Sequence, residues 1–429
     1  MRTLLGTAAH SKHVQNVARA LDEAGWLGRY ETGAVDVWRS RPARGLRRFA
    51  GSLAPGLDRQ LGRRAVTEVP HGFVRPDWTW EGVRAALERL PVSARVTDWL
   101  WEHGEHALGR RCAAMMRAGR FDLYVGVEHG ALEALRACRD VGRPGAVMFL
   151  SPHHAFRERW LGPEREAFPE LFSPTQRTLI EMGVERDARR DEEAFTAHVV
   201  RANSGLTARS LVEAGVEPDR IVTVPIGCPP TLSSPRTPDP DPVRILYAGH
   251  LSVRKGFHYL LEAWRRLRPA GAELHAYGPL RLPDRVAGDV PAGVVLHGSV
   301  PRSELMEAYE QAHLLVFPTL CDGFGMVASE ALSRGVPVLT TRNAGVADLI
   351  EEGTNGFIVP PADADALANR LEACLSDPSA LLDMRQAALE TARSWTWADF
   401  RAAFVKRLAS KLAEVGFDVP ETAPPPANA

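Results

Sequence analysis

The chain has 429 residues, a formal charge of −1, 45% apolar residues and 24% charged residues. That composition describes a globular protein long enough for two ordinary domains, and it excludes a disordered or collagen-like chain. A balance this near neutrality gives no bulk attraction to nucleic acid, and no apolar run of about 18 residues is present to form a membrane-spanning helix.

The five cysteines (112, 138, 228, 321 and 374) are scattered, odd in number and form no C-x-x-C pair. Reduced thiols in a cytoplasmic setting, with no zinc site, are therefore expected. The apolar part of Met1–Gly6 is too short to read as a signal peptide. Arg is used almost everywhere: of 52 basic residues only Lys12, Lys255, Lys406 and Lys411 are lysine. A lysine inside the folded body therefore stands out as a candidate for a specific role.

Thr3–Thr7 reads as a first strand. A loop carrying His10, Lys12 and His13 follows, then Val14, Val17, Leu21 and Ala24 recur at helical spacing up to Gly25. Strand, loop and helix suit a Rossmann-like start. There is no G-x-G-x-x-G, so a dinucleotide is not indicated. His10 or Lys12 stands at a strand end, where α/β proteins bind ligands, and either can equally be a solvated loop residue.

Residues 39–64 hold eight Arg and a single acid, Asp58, with Leu46, Phe49, Leu53, Leu57 and Leu61 at three- or four-residue steps. Such a segment suits an anionic membrane surface or an anionic acceptor. An ordinary helix with its Leu face packed inward fits the same pattern. Residues 75–120 read as helical, with Trp78, Trp80, Trp99 and Trp101 favouring a packed core over an acceptor wall.

Regular alternation follows. Asp122–Val127, Ala146–Leu150, Val199–Ala202 and Ile221–Val224 read as strands, with helices at Ala131–Cys138 and Thr207–Ala214. The third of the chain's strands to be buried runs straight into Ser151-Pro152-His153-His154, so two adjacent histidines sit at a strand end. Cys228–Pro242 contains six prolines and no apolar pattern, which marks a linker. Asp239-Pro-Asp241 and Asp363-Ala-Asp365 formally fit a D-x-D metal motif, but the first lies in that linker and the second at a helix start, so both read as structural.

A second unit opens at Arg244–Gly249 and runs into the loop His250–Gly256, which carries Arg254 and Lys255. The strand Glu273–Tyr277 ends at Gly278-Pro279, and Val294–Gly298 ends at Ser299-Val300. Strand Leu314–Phe317 is followed by Asp322-Gly323-Phe324-Gly325-Met326 and a short helix holding Glu330. Gly335 then stops the helix before strand Val336–Leu339. If the span is helical, Asp322 and Glu330 lie roughly 10–12 Å apart. That is too far for the paired carboxylates of a retaining glycosidase, which stand about 5–5.5 Å apart. The pair suits two ends of one long ligand, with free helix N–H groups between them for an anion. A capped helix with two surface acids is the plainer alternative. Arg254 and Lys255, some 70 residues earlier at a strand end of the same sheet, are placed to neutralise a diphosphate.

These motifs resemble the donor-binding half of a GT-B glycosyltransferase of the family 4, or group 1, type. The resemblance rests on Gly249…Arg254-Lys255-Gly256, Gly278-Pro279, Gly298-Ser299-Val300, the E-x7-E motif as Asp322…Glu330, Gly335-Val-Pro-Val338, Asn343-Ala-Gly345…Asp348-Leu-Ile-Glu351 and Asn355-Gly-Phe-Ile-Val-Pro360. It covers residues 243–395 contiguously. The first half matches in outline only.

The resemblance implies two Rossmann-like, doubly wound parallel-sheet domains facing across a cleft. The first, 1–228, would bind the acceptor. A linker at 229–242 would lead to a donor-binding domain at 243–396. A helix at 397–416 would cross back to the first domain before a disordered tail at 417–429. It implies a retaining, metal-independent transfer from a UDP- or GDP-sugar, with no cofactor, to a saccharide, lipid-linked or small-molecule acceptor in glycan, polysaccharide or glycolipid biosynthesis. The setting would be cytoplasmic, with residues 39–64 as a peripheral membrane contact.

Carried over by position, Lys255 and Arg254 would hold the diphosphate, with Gly249, His250 and Gly278 lining the same loops. The amides of Gly323, Phe324, Gly325 and Met326 would contact the distal phosphate and sugar. Asp322 would bind sugar hydroxyls, Glu330 the ribose, and the backbone at Ser299 and Val300 the base. His153 or His154 would touch the donor sugar near its reacting carbon. Two departures stand out. His250 occupies a position that is often Arg, and Asp322 is one methylene shorter than Glu. Rival readings are a sugar-nucleotide epimerase or a non-catalytic binding protein on the same scaffold. A pyridoxal-dependent phosphorylase is disfavoured by the scarcity of lysine.

Overall fold

The computed structural model describes all residues except 9–10, 34, 36–64, 81–82, 84–86, 88–92 and 421–429. The Arg-rich segment 39–64 and His10 thus lie outside the described residues. So does the end of the Pro/Ala tail.

The first sheet has seven parallel strands in the order β3-β2-β1-β4-β5-β6-β7. They are β1 (Thr3–Thr7), β2 (Leu27–Thr32), β3 (Val74–Pro76), β4 (Leu123–Val127), β5 (Gly145–Phe149), β6 (Val199–Ala202) and β7 (Ile221–Thr223). The helices of this half are α1 (Lys12–Glu23), α2 (Ala94–Arg117), α3 (Leu132–Asp140), α4 (His154–Ala167), α5 (Pro174–Thr196) and α6 (Gly205–Glu213). β1, β4 and β5 are buried at every position, as strands covered by helices on both faces must be.

The second sheet has six parallel strands in the order β10-β9-β8-β11-β12-β13. They are β8 (Val243–Ala248), β9 (Ala272–Tyr277), β10 (Val294–Gly298), β11 (Leu314–Phe317), β12 (Val338–Thr341) and β13 (Gly356–Val359). Its helices are α7 (Phe257–Leu267), α8 (Asp284–Gly288), α9 (Arg302–Glu310), α10 (Met326–Leu332), α11 (Ala364–Ser376) and α12 (Pro378–Ser394). One further helix, α13 (Trp397–Glu414), buries Phe400, Phe404, Leu408 and Leu412 in the core of the first sheet.

Each order reverses once, β1 beside β4 and β8 beside β11. Crevices at the carboxyl ends of the strands open at those reversals, and α/β proteins place ligands there.

The structure corrects several local readings. The region 75–120 opens on the end of β3; beyond it Thr79, Trp80, Val83 and Leu87 are helical among the described residues, and α2 runs from Ala94. Leu27–Thr32 is a strand that a Gly, Arg and Glu among its six residues disguised. The helical pair α4 and α5 was not read from the sequence, because α4 carries an internal Pro163 and both faces are rich in Arg and Glu. The turn after Asn343 is a five-residue 3-10 helix, Gly345–Leu349. The two D-x-D stretches do structural work. Asp239 pairs with Arg244 at 3.4 Å, Asp363 caps α11 by accepting from the Ala366 N–H at 2.8 Å, and Asp365 pairs with Arg266. All five cysteines are buried free thiols.

Candidate active site in the interdomain cleft

The second-domain wall is built from the ends of β8, β9 and β11. Glycine is required where the loops cross. A Cβ on Gly256 would stand 1.9 Å from the Pro318 carbonyl oxygen, and one on Gly278 would stand 1.9 Å from that of Gly249. Those close approaches press the loop 249–256 against the chain leaving β11. The Arg254 carbonyl accepts from Leu320 N–H at 3.0 Å and from the Thr319 hydroxyl at 3.1 Å. The Arg254 guanidinium donates to the Cys321 carbonyl at 3.1 Å.

The result is contact between groups 67 residues apart. Lys255 Nζ touches the Asp322 carboxylate, and Arg254 stands 3.7 Å from the same oxygen. The other Asp322 oxygen accepts from Phe324 N–H at 3.1 Å. Burial, and then Arg254, pull the Lys255 pKa down. Asp322 therefore supplies the counter-charge to two cations, at the place where an anionic ligand would compete for them.

Arg281 joins this cluster and was missed from the sequence. Its N–H donates to the Leu251 carbonyl at 2.9 Å. With Arg254 and Lys255 it holds the His250 pKa below its ordinary value, behind burial as the first cause. His250 is thus neutral near pH 7. Arg281 follows the Gly278-Pro279 turn by two residues, and that adjacency was the one available signal.

Glu330 lies deeper, 7% exposed. Arg302 reaches it at 2.8 Å and the Tyr309 hydroxyl at 3.5 Å. Burial pushes its pKa up, and Arg302 is the main opposition. Lys12, the first residue of α1 in the other domain, also acts on the Glu330 charge, so it faces the second domain across the cleft. Ser299 is exposed and Val300 half-buried at the end of β10.

Gly323 is where the domains meet. Ser204 donates to its carbonyl at 2.6 Å, and a Cβ there would stand 2.0 Å from the Leu150 carbonyl oxygen. The Phe324 side chain joins the first domain's core, and Met326 packs against it. Only their backbone is left to face a ligand. Gly325, at φ 92°, caps α10, which is just seven residues long. So short a helix offers free N–H groups but little macrodipole.

The first-domain wall is organised by a buried ion pair. Glu128 accepts from the N–H groups of Leu150 and Ser151 at 3.0 and 3.1 Å and from the Ser151 hydroxyl at 3.0 Å. Arg190 donates to Glu128 and to the Ser151 hydroxyl. Burial works to raise the Glu128 pKa, and Arg190, His129 and the hydrogen bonds it accepts together bring it below its ordinary value. This network fixes the turn that carries both histidines.

His153 is buried, and its Nδ1 accepts from Ala155 N–H at 3.2 Å, capping α4. That bond leaves the ring proton on Nε2, which donates to Asp191 at 2.6 Å. His154 Nε2 meets the same carboxylate at 2.9 Å. The three groups lie close enough to hold a metal ion. A metal on His153 Nε2 would, however, need the proton on Nδ1, where the Ala155 N–H already points. The arrangement suits hydrogen bonding. Burial lowers the His153 pKa, and Asp191 only partly restores it.

Residues 242–377 match the family described as "Glycosyl transferases group 1". The chain carries a group 1 glycosyltransferase domain. The amylovoran biosynthesis glycosyltransferase AmsK of Erwinia amylovora is 28% identical over 180 residues, 38% of this chain and 44% of that protein. The sulfoquinovosyl transferase of Arabidopsis thaliana is 28% identical over 172 residues, 39% of this chain and 33% of that one. The aligned part thus spans a third to under a half of these relatives. In three dimensions, Anabaena HepE in complex with UDP matches 96% of this chain and all of that one at TM-score 0.61 and 16% identity. Sucrose-phosphate synthase of Thermosynechococcus elongatus gives the same coverage at 0.62 and 16%. Such likeness shows the fold, and both halves of the glycosyltransferase scaffold are present as a GT-B pair. No helix among the described residues is long and apolar enough to cross a membrane.

Proposed function

We propose that the protein is a retaining, metal-independent glycosyltransferase that moves a sugar from a UDP- or GDP-sugar to an acceptor hydroxyl. The observation that carries this reading is the gathering of Lys255, Arg254 and Arg281 around one strand end, closed by the Asp322 carboxylate. Three cations converging there suit a diphosphate, and Asp322 is the group a donor would displace or share. Glu330, bracketed by Arg302 and by Lys12 of the opposite domain, suits ribose hydroxyls. HepE is a protein of this fold seen with UDP and with UDP-glucose, which supports a nucleotide-sugar donor.

In this mechanism the bond from the sugar's anomeric carbon to the diphosphate oxygen breaks. The acceptor oxygen bonds to that carbon from the same face, and the acceptor proton passes to the departing diphosphate. Lys255, Arg254 and Arg281 stabilise the negative charge as it grows on the leaving group. Asp322 orients sugar hydroxyls, and the turn at His153 borders the sugar. The reaction belongs to glycan, polysaccharide or glycolipid assembly, on the cytoplasmic side.

Thermal unfolding with UDP, GDP or ADP, in the presence of EDTA, tests this. A nucleotide at about 100 times its dissociation constant should add roughly 2.7 kcal/mol. Stabilisation by UDP or GDP with EDTA present is the expected result. No stabilisation by any nucleotide, or stabilisation that EDTA abolishes, would sink the metal-free donor site.

A further inference from the structure

Beside the cation cluster lies a cavity of ≈960 Å³ between α4 and α5 of the first domain and the loop 250–254 of the second. We infer that this cavity takes the acceptor, and that the acceptor is an uncharged molecule carrying its hydroxyl on an apolar body. The inference rests on the donor reading above, and it names the partner class for the other half of the same cleft.

The two ends of the cavity differ. His154, Asp191, His250 and Arg254 line one end. Leu161, Phe172, Leu179, Ile180 and Val184 give the first-domain wall an apolar component, beside charged side chains that include Arg157, Glu158, Arg165 and Arg186. Ile180 and Val184 are four residues apart on α5, one turn above each other, and are 38% and 71% exposed. Two aliphatic side chains held in water on the wall of a large cavity are placed for an apolar partner.

Charge weighs against the main alternative. An anionic acceptor, such as a lipid diphosphate, would have to compete for arginines on this wall that are each already paired. Arg157 bonds Asp187 at 2.7 Å, Arg165 bonds Glu158, and Arg186 bonds Asp98 and Glu102. The remaining lining cations, Arg254, 3.7 Å from Asp322, and Arg281, sit on the second-domain wall beside Lys255, where the donor's own phosphates belong. A free oligosaccharide could use the polar lining but would leave the exposed Ile180 and Val184 without an apolar partner. A hydroxyl at the Asp191 and His154 end, with the apolar body running along α5, satisfies both ends at once.

The uncharged fluorophore N-phenyl-1-naphthylamine is a suitable probe for the full-length chain. The wild type should bind it saturably at one site, and the double variant Ile180→Asp, Val184→Asp should bind it about tenfold more weakly or worse. Because both side chains are exposed, the variant should keep its unfolding temperature and its stabilisation by UDP or GDP. Equal affinity in the two proteins overturns the inference. So does co-sedimentation of the wild type, but not the variant, with phosphatidylcholine vesicles, which would make the patch a bilayer contact. Probe binding without nucleotide stabilisation would instead defeat the donor reading, so the two failures are distinguishable.

Discussion

The two walls of the cleft are built in different ways. On the second-domain wall, groups 67 residues apart are brought together by short glycine-bearing stretches at strand ends. Gly256 presses the loop of Arg254 and Lys255 onto the chain after β11, and Asp322 closes the cluster within its own turn. On the first-domain wall, the histidine turn is held by Glu128 and Arg190, which are 62 residues apart, and His153 meets Asp191 across 38 residues. The second-domain wall is governed by glycines that lie next to the residues they position, so it reads as a motif. The first-domain wall depends on charged pairs set in ordinary charged stretches, so it leaves no short signature. That contrast agrees with a family match confined to residues 242–377 on a scaffold shared over 96% of the chain.

The comparison breaks most visibly at Glu128. Glu128→Ala leaves the Arg190 guanidinium, 2% exposed, without its main partner. Breaking a buried pair from one side costs about 3–5 kcal/mol. Urea unfolding should show that loss, with the histidine turn released. A loss near zero would mean that the pair does not hold this wall together. Lys255→Ala tests the opposite wall. Its expected cost is on the order of 10²-fold in turnover, the scale of removing one donor to a developing anion, with folding nearly intact. Turnover equal to that of the wild type would remove Lys255 from the mechanism.

The same contrast explains what could be read beforehand. The parallel-sheet architecture, Lys255 against Asp322, and Glu330 on its short helix all come from stretches where hydrophobic runs and glycines lie next to the residues they position. Glu128 could not be found that way, and Arg190 and Asp191 stood out only as part of the outline match Arg190-Asp-Glu-Glu193, with no role attached. They sit in acidic and basic runs of α5 and at the end of β4, where the sequence looks like any solvated helix face. Only the tertiary fold shows that Arg190 and Glu128 are buried. Arg281 and Arg302 were hidden for a related reason. In a chain this rich in arginine, composition does not separate a site residue from a surface one. Phe324 and Met326 were read through their backbone alone, and their side chains turned out to join the domains.

Acid should act unequally on the two walls. Burial drives the pKa of His129 and of His198 down to about 4, and burial with Arg201 holds that of His13 well below its ordinary value. All three are in the first domain. Between about pH 6.5 and 4 the unfolded chain takes up protons at these sites and the folded chain does not, so stability falls as pH falls. Thermal unfolding across that window should show a declining midpoint, led by first-domain signals. Replacing His129 with Gln should flatten the decline. A midpoint independent of pH there would mean that these rings are not held neutral.

The smallest expected effect is at Glu330, and it probes the rim of the donor wall. Arg302 is 53% exposed, so its pair with Glu330 should add little to stability, within the 0–1 kcal/mol usual for exposed pairs. Its influence on charge is more specific. Burial already pushes the Glu330 pKa up, and Arg302 is first among the groups holding it down. Arg302→Ala removes that opposition, so Glu330 should take up its proton at higher pH than in the wild type. A protonated Glu330 is a poorer acceptor for ribose hydroxyls. The acid limb of UDP or GDP binding should therefore move to higher pH in the variant, with affinity at high pH little changed. Titrations of nucleotide affinity against pH for the two proteins decide the matter. Superimposable acid limbs would mean that Glu330 does not bear on the ribose, because its protonation would then leave nucleotide binding untouched.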